Sequence, residues 1–479
     1  MSDSKLYLLF KSLDKTELKD FNKFIQSPYF NTNEKLSTLF QYLVSENAAF
    51  KNGKPDKKNI YQYLFPNKPY KDLHCRQYLT TLSSMIEKFL ETEHLQKEKH
   101  LLDHSLLEEL IERNSEKLFN QTYQKTNPDT SIKNGQFYLN QFKREDIRNR
   151  FLTHFAQRKN RFIAQPDYTQ TIQELDTFYL IYKLKYCCEL LNYKTIGAVE
   201  QETILLDEIL ELLSKKNYSE IPAINIYYKI LLTLTQPENE SNFHELMSAL
   251  KVSDHNFPQP ETREMYIYAQ NFCIRQINKG KTAYLNELLN IYKILLERKI
   301  ILKNEELSPW DYKNIVVTAL RSKDFNWANS FINTYKAYLP TKERENAYSY
   351  NLAKYHFYLN NYDSVLDLLQ KVEYKDVFYS LDSKAMLMKT YYELRELELL
   401  YALMESFKTY LNRKKNLSEH HVKTYKNLIK ITKKLTKLTN GDKKKAALII
   451  EQINSTKPLA DAGWLKEKAK TFLAVSISE

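Results

Sequence analysis

The chain has 479 residues, enough for two to four ordinary domains or one long repeat array, yet only six are glycine. A chain of this length and average composition carries about 34 glycines, so the deficit argues against collagen-like sequence, glycine-rich linkers and the glycine-rich phosphate loops of most nucleotide enzymes. The net charge is +12, and it is concentrated: between Lys408 and Lys445 thirteen basic residues stand against two acidic ones, Glu419 and Asp442. The remainder is close to neutral, so an acidic partner is expected to meet the C-terminal region first.

Aromatic residues are abundant (36 Tyr, 24 Phe, 3 Trp) and hydrophobic residues make up 43%, which supplies real cores and excludes a globally disordered chain. Four cysteines (Cys75, Cys187, Cys188, Cys273) form one vicinal pair and no CxxC. They read as reduced, buried thiols rather than a disulfide framework or a zinc ribbon. The start, Met1-Ser2-Asp3-Ser4-Lys5, lacks a signal-peptide pattern, and no apolar stretch is long enough to span a bilayer. A cytoplasmic protein without membrane association is expected.

Apolar residues recur at helical period almost throughout, with no run of strand-like alternation, so the fold class is all-α. The prolines at 28, 66, 69, 128, 166, 222, 237, 258, 260, 309, 340 and 458 fall between helical segments. Residues 1–95 read as an N-terminal helical domain. In it Asp14 or Thr16 caps a helix bearing Leu18, Phe21, Phe24 and Ile25, Asn33 caps one bearing Leu36, Leu39, Phe40 and Leu43, and Asp56 opens a short third. Asp72 begins a long helix with Leu79, Leu82, Ile86 and Phe89 on one face. Residues 96–166 read as a charged helical connector that includes the basic stretch Lys143 to Arg161.

From residue 167 to 479 helices are expected in pairs: 168–193 with 199–216, 220–236 with 240–252, 261–278 with 281–297, 309–322 with 325–338, 345–359 with 362–372, 379–394 with 397–412, and 418–438 with 442–454. The turns fall near 194, 237, 279, 323, 360, 395 and 440, an irregular period of roughly 35–45 residues that suits stacked helical hairpins.

The segment Asn351 to Leu366, NLAKYHFYLNNYDSVL, resembles a tetratricopeptide repeat. Ala353 takes the small position of the first helix, Phe357 the aromatic region and Val365 the small position of the second. Leu387, Leu397 and Leu400 repeat Leu352, Tyr362 and Val365 one unit on, and Trp327-Ala328 marks a weaker copy. The consensus glycine is Ala353 or Met388 here, and the closing proline is missing, so the likeness is to the superfamily and covers about 310–415. It implies a right-handed α-solenoid with a concave, peptide-binding face. First-helix residues Tyr355, Tyr358, Lys389 and Tyr392 would then meet a protein or peptide partner.

Chemistry-bearing motifs are sparse. Gly280-Lys281-Thr282 looks like the tail of a phosphate loop, but its first glycine is replaced by Arg275, so it reads as a helix turn. His100 and His104 share a helical face near His94 and Asp103 without completing a metal-ligand set, and His244-Glu245 lacks a second histidine. No cofactor, metal or catalytic residue is expected. The strongest functional signal is the 418–438 helix. Lys423, Lys426, Lys430, Lys433, Lys434 and Lys437 fall within an arc of roughly 100°, opposite Tyr425, Leu428, Ile429, Ile431, Leu435 and Leu438. This stripe is either the solvated face of terminal repeats or a docking surface for nucleic acid or an acidic protein.

Ile60 to Pro66 followed by the Asp72 helix is also distantly similar to the winged helix-turn-helix of bacterial activators that precede tetratricopeptide-like sensor domains. Arg76, Thr80 and Ser83 would face a DNA groove, although a charged helix stands where the β-hairpin wing belongs. The expected function is a non-enzymatic cytoplasmic scaffold or adaptor. The alternative is a nucleic-acid-binding regulator with an N-terminal helix-turn-helix-like unit and a helical-repeat sensor domain.

Overall fold

The computed structural model describes residues 4–45, 56–126, 132–159, 166–195, 202–216, 218–370, 372, 377–414, 417–439 and 441–474. Among these residues there are 23 α-helices and no strand, as the periodicity requires. The chain divides into two compact units, residues 1–182 and 183–479. The division falls neither at 95 nor at 166 but within one helix, α9 (Tyr168–Thr195).

The first unit opens with α1 (Lys5–Ser12), α2 (Lys15–Gln26), α3 (Glu34–Ser45), α4 (Lys57–Leu64) and α5 (Asp72–Lys97). Polar caps set the starts. Asp14 Oδ1 accepts from the Thr16 and Glu17 amides at 2.7 and 2.9 Å while Glu17 Oε2 accepts from the Asp14 amide at 2.9 Å, a reciprocal cap that stabilises a helix by about 1 kcal/mol. Asn33 and Asp56 likewise accept from the Lys35 and Lys58 amides. The apolar faces converge on Phe21, whose ring meets Phe40 edge-on at 4.9 Å and Phe89 at 5.4 Å.

A separate cluster joins α6 (Lys99–Glu112), α7 (Glu116–Lys125) and α8 (Gly135–Lys159), with Phe119 stacked on Phe151 at 3.8 Å. The basic stretch lies on α8, where the Arg144 guanidinium sits 3.8 Å from the Tyr123 ring centroid. Its far end, Arg161, lies outside the described residues.

In the second unit α10 (Leu206–Lys215) precedes a series of hairpins: α11 (Pro222–Thr235) with α12 (Glu240–Ser253), α13 (Gln259–Asn278) with α14 (Tyr284–Glu297), and α15 (Pro309–Arg321) with α16 (Phe325–Tyr335). There follow α17 (Arg344–Tyr358) with α18 (Tyr362–Gln370), α19 (Val377–Glu393) with α20 (Leu397–Arg413), and α21 (Glu419–Leu435) with α22 (Lys443–Ser455). Pro222, Pro260 and Pro309 are not between helices but lie in the first turns of α11, α13 and α15, where the missing N–H costs nothing. Each first helix packs on its own partner in all six pairs and, from the second pair on, on the second helix of the hairpin before; α11 also packs on α13, α15 on α17 and α17 on α19. The last pair also shares a core with α23 (Ala462–Ala474), a helix absent from the expected pairing, which buries Leu465 and Ala469 against α21 and α22.

One turn geometry recurs. Gly280, Lys323, Asn360, Arg395 and Gly441 all have positive φ, each within one residue of an expected turn. At the first four the next amide reaches back to the carbonyl five residues earlier: Lys281 to Gln276, Asp324 to Ala319, Asn361 to His356 and Glu396 to Tyr391, all at 3.0 Å. This left-handed termination satisfies the last carbonyls of a helix and favours glycine, which is scarce in this chain.

Polar contacts bind the first helices together. Asp382 of α19 pairs with Lys313 of α15 and accepts from the Tyr425 hydroxyl of α21 at 2.6 Å, and the Lys313 ammonium lies 5.0 Å from the Trp310 ring and 5.8 Å from that of Tyr350 on α17. All four cysteines are buried, and burial pushes every thiol pKa up.

Lys323 and Arg395 are exposed and carry a Cβ where glycine would be unstrained. Lys323→Gly and Arg395→Gly are each expected to stabilise the protein by about 1 kcal/mol, independently of one another, as read by chemical denaturation. No gain in either variant would show that the turns are relaxed as they stand.

Candidate functional site

Tyr355, Tyr358, Lys389 and Tyr392 lie on α17 and α19, but they do not form one open surface. Lys389 is buried, with its Nζ 2.7 Å from Asp461 Oδ1 and 5.1 Å from the Phe357 ring centroid. Tyr392 meets Trp464 edge-on at 5.2 Å, and the Trp464 indole donates to Glu393 Oε1 at 2.7 Å. The chain's own segment around α23 thus covers two of the four expected contacts, while Tyr355 is half-buried and Tyr358 is exposed. Burial alone would push the Asp461 carboxyl up, yet the Lys389 and Lys354 ammonium groups hold it below its ordinary value.

Asp461→Ala is therefore expected to cost about 3 kcal/mol at neutral pH, because it leaves a buried ammonium without its counter-charge. A group whose pKa is lowered on folding contributes fully above its unfolded value near 4, and the contribution fades as pH falls through the folded value. The difference from wild type should accordingly shrink in acid, and Lys389→Met combined with Asp461→Asn, which keeps a residue suited to the positive φ at 461, should recover most of the loss. A pH-independent defect in denaturation experiments would contradict this.

The lysine stripe is present as a physical surface. Ser418 caps α21, accepting from the His421 amide, and Leu428, Ile429, Ile431 and Leu435 are buried on one side. Tyr425 and Leu438 pack partly buried against the same core. On the other side Lys426, Lys430, Lys433, Lys434 and Lys437 join Lys408 and Asn412 of α20 around a groove of about 520 Å³ floored by Ile429. Lys423 is exposed on the same face, outside the groove lining.

Counter-charge is sparse there. Glu405 lies 2.7 Å from Lys408 and 4.0 Å from Lys433, and Lys434 donates to Gln452 Oε1 at 2.6 Å. Among the described residues Lys423, Lys426, Lys430 and Lys437 have no carboxylate within ion-pair distance. Like charges three and four residues apart on a helix cost about 0.2–0.5 kcal/mol per pair, so this face carries unrelieved repulsion.

Sequence reasoning missed two further features. A groove of about 890 Å³ is lined by Lys251, Asp254, Arg298 and Lys299 among others; buried Asp254 pairs there with Arg298 and accepts from the Tyr266 hydroxyl at 2.9 Å. These residues come from helix ends far apart in the chain, and no local pattern joins them. The other feature is apolar. Tyr186 and Tyr193 of α9 are 59% and 53% exposed, and Ile267 and Ile274 of α13 are each 41% exposed. Lys185 lies 3.4 Å from Glu264 and Asn271 donates to Asn192 at 3.5 Å, so polar contacts join α9 and α13 beside these side chains. Two exposed residues spaced by seven on each helix were the available signal.

The remaining candidates resolve simply. The Gly280 turn ends α13, and Lys281 pairs with Glu240 at 2.7 Å. His104 is buried, which pushes its pKa down, and no group of three metal-ligating side chains occurs among the described residues. Of the three residues expected to face a DNA groove, Ser83 needs correction. Ser83 is buried and donates to the Leu79 carbonyl, Arg76 pairs with Asp72 at 2.7 Å, and α1 packs on α5, with Lys5 reaching Glu87 at 2.7 Å. Ser83 thus lies inward, whereas Arg76 and Thr80 are exposed on α5. No helix among the described residues is long and apolar enough to cross a membrane. Comparison with protein-family models, curated proteins and solved structures gives no match.

Proposed function

We propose that this chain is a non-enzymatic cytoplasmic scaffold whose second unit is a tetratricopeptide-like superhelical array that binds a protein or peptide. The observation that carries this reading is the succession of hairpins in which first helices pack on the first helices of neighbouring hairpins: α11 on α13, α15 on α17 and α17 on α19. A hairpin cannot bury its apolar face alone, and stacking leaves an extended surface of first helices for an elongated ligand.

The contact surface in this reading is not the Lys389 region, which α23 and its preceding loop cover. It is the uncovered part of the first helices, where Tyr186 and Tyr193 on α9 lie alongside Ile267 and Ile274 on α13. Aromatic and aliphatic anchors with a polar rim, here Lys185, Glu264, Asn192 and Asn271, are the composition of a protein contact.

Ile267→Asp combined with Ile274→Asp should leave the melting temperature nearly unchanged, since both side chains are substantially exposed, while weakening partner capture at least tenfold in quantitative affinity purification. Partners recovered equally by wild type and variant would remove this surface from the reading. A reproducible absence of any partner would count against the scaffold itself.

A further inference from the structure

We propose that the lysine groove between α20 and α21 is a docking site for the phosphate backbone of duplex nucleic acid, bound without sequence preference. This inference is independent of the protein-binding reading, since the groove lies on different helices from the α9 and α13 surface.

Four observations carry it. The cations form a line: Lys423 to Lys434 spans about 16 Å along the helix at about 1.5 Å per residue, the reach of several successive phosphates. The line is uncompensated, because Lys426, Lys430 and Lys437 have no carboxylate within ion-pair distance among the described residues, and the groove's nearest acid, Glu405, is held by Lys408 and Lys433. A bound polyanion would relieve the repulsion between these lysines, whereas folding alone does not.

The groove's cations are all lysine. A compact ammonium suits phosphate as a point charge, whereas carboxylate recognition draws on the bidentate fork of arginine. Finally, no Phe, Tyr or Trp ring of α20 or α21 is exposed: Phe407 is buried and Tyr401, Tyr410 and Tyr425 are half-buried, while the exposed imidazole of His420 sits in the first turn of α21, outside the groove lining. The groove lining offers no ring on which unpaired bases could stack, which favours the backbone of a duplex over a single strand. Ile429 and the lysine stems form the floor, and Asn412 alone adds an amide, so base edges find little to read.

The test uses the full-length chain and a short mixed-sequence DNA duplex, with binding followed by fluorescence anisotropy against salt. With six lysines engaged, affinity should fall on the order of a thousandfold between about 50 and 200 mM salt. The duplex should also raise the melting temperature at low salt. Replacing Lys426, Lys430 and Lys437 together by glutamate should abolish binding. The corresponding glutamine variant, which removes charge without adding any, should weaken it at least tenfold and flatten the salt dependence while keeping the wild-type circular dichroism.

No binding by the wild type at low salt would overturn the proposal, as would binding that survives the glutamine substitutions. Tighter binding of poly-glutamate than of duplex would transfer the groove to an acidic protein, and tighter binding of single strands would refute duplex docking. Discrimination among duplex sequences that persists in the glutamine variant would place recognition elsewhere.

Discussion

The second unit depends on how one carboxylate, Asp382, is satisfied. It stands on α19, pairs with Lys313 of α15 and accepts from Tyr425 of α21, while the Lys313 ammonium also meets the rings of Trp310 and Tyr350. The Lys313 and Asp382 side chains are only 15% and 26% exposed, so both charges are largely sheltered from water. Apolar ridges can slide past each other by a turn at modest cost, but a sheltered charge that loses its partner costs several kcal/mol. The network therefore fixes the register of α15, α17, α19 and α21, whereas apolar burial supplies most of the free energy.

Much of this architecture was readable from local chemistry. The turns at Lys323, Asn360 and Arg395 were placed without a glycine to mark them, because the apolar period stopped and restarted there. Asp14, Asn33 and Asp56 were legible as caps because a cap acts within three residues. The lysine stripe was legible because one helix carries nearly all of it. The paired character of Lys389 was not, since Asp461 approaches from a distant loop, and α23 itself escaped notice behind Pro458. Ser83 was assigned to an outward face because helical periodicity says which residues share a side, not which neighbour covers it. The Asp254 groove failed for the same reason, its residues being brought together only by packing.

The chain separates its two chemistries. Tyrosine and isoleucine are exposed on α9 and α13, while uncompensated cations are gathered on α21. Between them, in the α17 and α19 region, charges such as Lys389 are neutralised internally by Asp461. An apolar surface and a charged one respond oppositely to salt, so occupants of the two would be regulated by different conditions.

The buried cysteines have a practical consequence. Cys75, Cys187, Cys188 and Cys273 are shielded, and desolvation keeps their thiols protonated near neutrality, where only the thiolate reacts with maleimides and similar reagents. A single cysteine introduced on an exposed helix would then be labelled selectively without first removing the native ones. Dyes or spin labels placed in pairs could measure distances within the native fold, because the natural thiols behave as packing atoms rather than as handles.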